Sequence, residues 1–144
     1  MSGAAFPGAV GGPLFRPWRG AAADLVAAAI HQAPVWWLRG SRRRTRQGLM
    51  DEWAAAAQFP PHFGGTWDAL RDALADLPAG GTFLVLDADQ LLQDAPSRDL
   101  GTLRVVLREV QQDLAPRAFQ IVLQAESGRY DTLVQGLLAM GVGD

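Results

Sequence analysis

Asp68, Asp72 and Asp76 recur every four residues, the spacing that brings side chains to one side of a helix. Carboxylates stacked this way can accept hydrogen bonds from a cation. Acid–base or nucleophilic chemistry needs more than that, and the sequence offers little of it. His31 and His62 are the only histidines, there is no Cys, and no Ser stands with His62 as a nucleophile. Asp87 and Asp89, in "LDAD", follow an apolar run; such a pair can hold Mg²⁺ in a phosphotransfer enzyme, although turn formation or helix capping is the better reading. "GGTW" (64–67) lacks the Lys-Ser/Thr of a phosphate loop. The Arg-rich stretch "RGSRRRTRQG", with its cluster at 42–46, could touch nucleic acid or an acidic protein. Without interleaved aromatics it reads as a solvated loop.

The aspartates need a helix beneath them. Over 67–77 the apolar residues Leu70, Ala73, Leu74 and Leu77 fall on one side, and the three aspartates fall on the other, flanked by Arg71 and Ala75. Thr66 is placed to cap the N-terminus. Like charges at this spacing cost roughly 0.2–0.5 kcal/mol per pair. Two readings stand: an ordinary polar outer face with Asp68 complementing the helix dipole, or a docking surface for a cationic partner.

Stepping outward, residues 1–20 are rich in Gly and Pro and read as a flexible arm. Helical patterns cover 21–32, 49–59, 67–77, 98–114 and 130–140; Pro34 closes the first, and Pro60 and Pro61 stop the second. Short apolar runs at 35–38, 82–89 and 118–124 read as strands, the middle one apolar on both faces as in a covered parallel sheet. Strands separated by helices predict an α/β fold with a parallel sheet and right-handed crossovers. The last helix, with Leu133, Val134, Leu137 and Leu138 along one face, is expected to pack on the sheet rather than form a dimer. A single domain over 21–144 is expected, after an arm at 1–20.

The chain from about Val35 to Gln124 resembles the barstar family of intracellular ribonuclease inhibitors. The stretch that carries the likeness is "FPPHFGGTWDAL" (59–70), continued by "RDALADL", against the family pattern F/L-P-x-Y-F/Y-G-x-N-x-D-A-L. The resemblance implies a three-stranded parallel sheet packed by helices, with extra N- and C-terminal helices in this chain. It also implies an inhibitor that plugs a basic nuclease active site with an acidic helix and the loop before it. Residue by residue, Asp68 and Asp72 match the two acids of that helix, Asp72 the dominant one, and Glu109 in "VLREV" matches a peripheral acidic contact. His62 stands where the family has Tyr, Gly64 at the turn glycine, Thr66 where it has Asn, and Arg71 where it has Trp. Phe63, Ala75 and Asp76 flank these positions and complete the expected partner-binding set. The departures alter the contact surface while keeping its frame, and Arg71 sets a cation beside the key acids. The alternative is a barstar-fold module for a different toxin or another basic partner.

Composition agrees with a binding protein. A net charge of −2 argues against general nucleic-acid affinity, and every one of the 13 basic residues is Arg. No apolar run approaches the ~20 residues of a membrane span, and no export signal is recognisable. The expectation is a cytoplasmic monomer without cofactor or metal, partnered by a barnase-type ribonuclease or another basic toxin, and with no membrane or direct nucleic-acid contact.

Overall fold

The computed structural model describes residues 14–29, 35–39, 46–59, 64–77, 81–94, 97–116 and 119–141. The elements run β1 (Phe15–Arg19), α1 (Ala22–Ala29), β2 (Val35–Arg39), α2 (Arg46–Ala57), α3 (Trp67–Ala75), β3 (Gly81–Leu86), α4 (Ala88–Asp94), α5 (Ser97–Leu114), β4 (Phe119–Ala125) and α6 (Tyr130–Ala139). The strands form one sheet in the order β1-β4-β3-β2, every neighbouring pair parallel. The architecture is the α/β parallel sheet packed by helices that the sequence predicts, but with four strands among the described residues rather than three.

The extra strand corrects the last part of the arm expected at 1–20, of which residues 1–13 lie outside the described residues. Phe15–Arg19 pairs with β4 in the register Phe15↔Ile121 to Arg19↔Ala125. Pro17 and two arginines mask it as a strand in the sequence. An edge strand tolerates proline because one row of its backbone groups has no neighbour to bond.

The central strands β3 and β4 are buried along their whole length, because helices cover both faces of the sheet. On one face, Phe15, Leu38, Phe83, Val85, Phe119, Ile121 and Leu123 meet Leu49, Met50 and Trp53 of α2, Leu70 and Leu74 of α3, and Leu103, Leu107 and Val110 of α5. Phe83 anchors this core, stacked on Trp36 at 4.7 Å and tilted against Trp53 at 4.4 Å. On the opposite face, Leu25 and Ala29 of α1 cover Trp18, Leu84, Leu86 and Val122. Leu133 and Leu137 of α6 are buried in the larger core while Leu138 is half exposed, so the last helix does pack on the domain.

Two further boundaries differ from expectation. β3 stops at Leu86 rather than at Asp89, because Asp87 adopts φ +53 and turns the chain into α4, a helix the sequence reading missed. α2 stops at Ala57, before the prolines, with Gln58 in the left-handed region (φ +54) that commonly ends a helix.

Candidate functional site

The N-terminus of α3 is built by local rules. Gly65 takes φ +69, a conformation that any side chain would strain, and directs the chain into Thr66. Thr66 stays extended and its Oγ1 accepts the Ala69 N–H at 3.0 Å, the N-cap expected from sequence. Leu70 and Leu74 are fully buried against the core that α5 shares. With one side of α3 fixed, the opposite side points into solvent by geometry alone.

Asp68, Asp72 and Asp76 are all exposed, the Asp72 side chain to 77%. Asp68 and Asp76 make no hydrogen bond or ion pair with another described side chain. Asp76 sits at the C-cap of α3, where its backbone N–H donates to the Asp72 carbonyl and the Leu77 N–H to the Leu74 carbonyl, each at 3.1 Å, and the Asp76 carboxylate faces the negative end of the helix dipole. An acid there costs a few tenths of a kcal/mol, and no basic residue in the last turn offsets it.

Arg71 does not lie loose among these acids. Its Nε donates to Glu109 Oε1 at 3.0 Å and its Nη2 to Asp113 Oδ2 at 2.7 Å, both on α5, while Nη1 stays 3.8 Å from Asp72 Oδ1. The guanidinium fork thus joins α3 to α5 with two charge-assisted bonds and leaves Asp72 with a longer, purely ionic contact. Asp68 and Asp76 flank this cluster on α3, while α5 also carries Asp99 and the cations Arg98, Arg104 and Arg108, so the two helices with Asp76 hold six acids against four arginines. Asp113 had no role in the sequence reading. It lies four residues after Glu109 on α5, a signal that was available.

The remaining predicted positions fall as follows. Gly64 is exposed ahead of α3, and Ala75 is half-buried near its end. His62, Phe63, Pro60 and Pro61, together with His31 and Arg42–Arg44, lie outside the described residues. Asp87 and Asp89 are brought together, but around a cation of the protein's own. Arg129 reaches Asp87 Oδ1 at 3.0 Å and both Asp89 oxygens at 3.2 Å, with Glu126 at 4.0 Å. Its pKa is raised, first because Asp87 accepts its hydrogen bond, then through the charges of Asp89, Asp87 and Glu126, while burial works against the shift. Gln124, fully buried, donates to the Gly20 carbonyl at 2.6 Å and accepts the Asp87 N–H at 2.9 Å, tying three strand ends together.

Cavities add little. The apolar one among Phe15, Trp53, Leu107 and Ile121 has about 20 Å³, room for one water. A polar cleft of about 440 Å³ opens between the ends of β1 and β4, lined by Arg19, Asp24, Glu126 and neighbouring small residues. Its charges are mixed, and Arg19 lies over the Tyr130 ring at 5.4 Å. Among the described residues, no group of three or more His, Cys, Asp or Glu is arranged to hold a metal, and no helix is long and apolar enough to cross a membrane.

The geometry is therefore one acidic helix face, braced from behind and open in front. The Barstar (barnase inhibitor) family model matches residues 33–126 of the chain. The chain belongs to the Barstar (barnase inhibitor) family. The matched region runs from β2 through β4 and contains α3, α5 and the whole acidic face, leaving β1, α1 and α6 outside. No curated protein sequence matches the chain. Among solved structures, it is similar to a Walker-type ATPase of Pyrococcus abyssi, with 15% identity and a TM-score of 0.58 over 86% of this chain and 43% of that one. The chain thus spans less than half the length of that protein, and at this identity the likeness is one of fold alone. This Barstar-family chain has no lysine at all, and so none for a phosphate loop.

Proposed function

We propose that this Barstar-family protein inhibits a basic ribonuclease by filling its active site with α3 and the loop before it. The observation that carries the reading is the exposed Asp68–Asp72 pair on a helix whose other side is fully buried and whose N-terminus is capped by Thr66. A nuclease cleft binds phosphate with Arg and Lys. Carboxylates held at helical spacing offer those groups charge-assisted hydrogen bonds in place of the phosphates. Because Leu70, Leu74 and the Thr66 cap already hold the helix, little ordering cost remains to be met on docking. The exposed aspartates of α3 draw a basic enzyme in, so the association rate falls as salt rises.

In this reading Asp72 is the central contact, Asp68 and Asp76 flank it, and His62, Phe63 and Gly64 supply the loop. Glu109 and Arg71 form the rim. The protein acts by occupation without turnover, as a monomer that needs no cofactor, in the cytoplasm where it would serve as an antitoxin conferring immunity. Arg71 favours one variation: a cation in the rim suits a basic toxin whose cleft differs from that of barnase.

The deciding experiment mixes the purified chain with barnase and follows RNA cleavage and the heat of binding. Stoichiometric inhibition is expected, and Asp72→Ala should weaken it by about 3 kcal/mol, on the order of 100-fold, because the enzyme's buried cation loses its partner. Full ribonuclease activity at micromolar inhibitor would remove barnase as the partner. The same titration against other basic ribonucleases then tests the variation.

A further inference from the structure

We infer that Arg71 divides the acidic face into a closed half and an open half, and so selects which partner clefts the protein accepts. The inference rests on the docking reading above and specifies the chemistry of the partner. On the closed half, Glu109 and Asp113 each already have an oxygen engaged by the guanidinium, at 3.0 and 2.7 Å. A cation approaching them must displace Arg71 or sit beside it, against like-charge repulsion. On the open half, Asp68 and Asp76 are unpartnered among the described residues, and Asp72, 3.8 Å from Arg71 and 77% exposed, keeps its hydrogen-bonding capacity.

The fitting partner is therefore a protein whose cationic groups stand opposite α3 and whose surface opposite α5 is neutral or acidic. A cleft with guanidinium or ammonium groups on both sides meets Arg71 and is rejected. This is specificity by a repulsive element built into the binding face. It also accounts for a cation in the middle of an acidic surface: Arg71 directs the partner while bracing α3 on α5.

The test uses octa-arginine as a sequence-neutral cationic probe, titrated at low salt into the isotope-labelled full chain while the side-chain carboxylate carbons are followed by NMR. In the wild type, Asp68, Asp72 and Asp76 are expected to shift, with Glu109 and Asp113 moving less than a fifth as far. In Arg71→Ala all five should shift, and the peptide should bind roughly threefold to tenfold more tightly. Arg71→Lys keeps the positive charge and should restore most of the protection of the α5 acids, which a purely structural bracing role would not predict. If Glu109 and Asp113 respond in the wild type as strongly as Asp72, the division does not exist, and that result needs no variant. An unchanged shift pattern in a folded Arg71→Ala protein would overturn it equally. Because barnase is absent from this measurement, failure of barnase inhibition with the expected shift pattern would discard the partner and keep the division.

Discussion

Two arginines in this protein each stand among three carboxylates, and burial separates what they do. Arg129 closes the end of the sheet, bonded to Asp87 and to an Asp89 that keeps 3% of its surface exposed, with Glu126 at the margin. Arg71 lies on the outside between two helices, and its partners Asp72, Glu109 and Asp113 keep 77%, 49% and 44% of their side chains in water. A buried carboxylate cannot replace its cation with solvent, so the Arg129 cluster is fixed. Exposed carboxylates can exchange partners at little cost, so the Arg71 face can become an interface. Acid clusters of similar composition thus serve structure in one place and recognition in another, and water access decides which.

The sharpest way to break this contrast is to remove the buried cation. Arg129→Ala leaves Asp89 buried without its partner, and the expected loss is about 3 kcal/mol, at the low end for a buried pair because Arg129 itself stays one-third exposed. For a chain of this size that is a fall in melting temperature of roughly 10 °C. Arg129→Lys should recover about half, since a single ammonium cannot fork between Asp87 and Asp89. The pH dependence follows from the raised pKa of Arg129. A cation whose folded pKa lies above its ordinary value gives its full stabilisation below that ordinary value and loses it only at higher pH. The difference in melting temperature between wild type and Arg129→Ala is therefore not expected to vary through deprotonation of this group between pH 6 and 9. Equal melting temperatures for the two proteins would refute the structural role.

The same contrast shows what could be read from the residues in order. α3, with its period, its cap and its aspartates, was legible because every signal is local to about ten residues. β3 and β4 were legible because burial on both faces leaves continuous apolar runs. β1 was not, since Arg16, Pro17 and Arg19 interrupt the pattern; its strand identity comes from β4, about a hundred residues away. α4 was hidden in the apparent continuation of β3, where only the positive φ of Asp87 marks the turn. At the candidate site, Asp68 and Asp72 could be named from spacing and family pattern. The bond from Arg71 to Asp113, across 42 residues, could not, because periodicity places a side chain on a face without saying which helix packs beside it. The clamp from Arg129 to Asp87 and Asp89 escaped for the same reason.

A middle-sized effect is expected where local and tertiary signals meet. Thr66→Ala removes the oxygen that accepts the Ala69 N–H and should cost about 1 kcal/mol, a fall of roughly 3 °C. The first turn of α3 carries Asp68, so partner affinity should fall with it, while Asp72, held one turn later by Leu70 and Leu74, keeps its place. Thr66→Ser, which retains the hydroxyl, should behave as wild type in both melting and binding. A Thr66→Ala protein that melts with the wild type would show the buried leucines alone to hold the helix start.

The smallest effect should belong to Arg71 itself. Its two short bonds would suggest a large loss on truncation, but both acceptors are nearly half in water and can be solvated when the guanidinium is gone. Arg71→Ala should therefore shift stability by no more than about 1 kcal/mol, and 1 M salt should erase much of that shift by screening. Glu109 and Asp113, four residues apart on α5, repel each other more strongly once unpaired, which adds only a few tenths of a kcal/mol. Because both terms are small, recognition rather than stability is the property on which Arg71 bears most. If Arg71→Ala melts as far below wild type as Arg129→Ala does, the two clusters are the same kind of structural clamp, and exposure is not what distinguishes them.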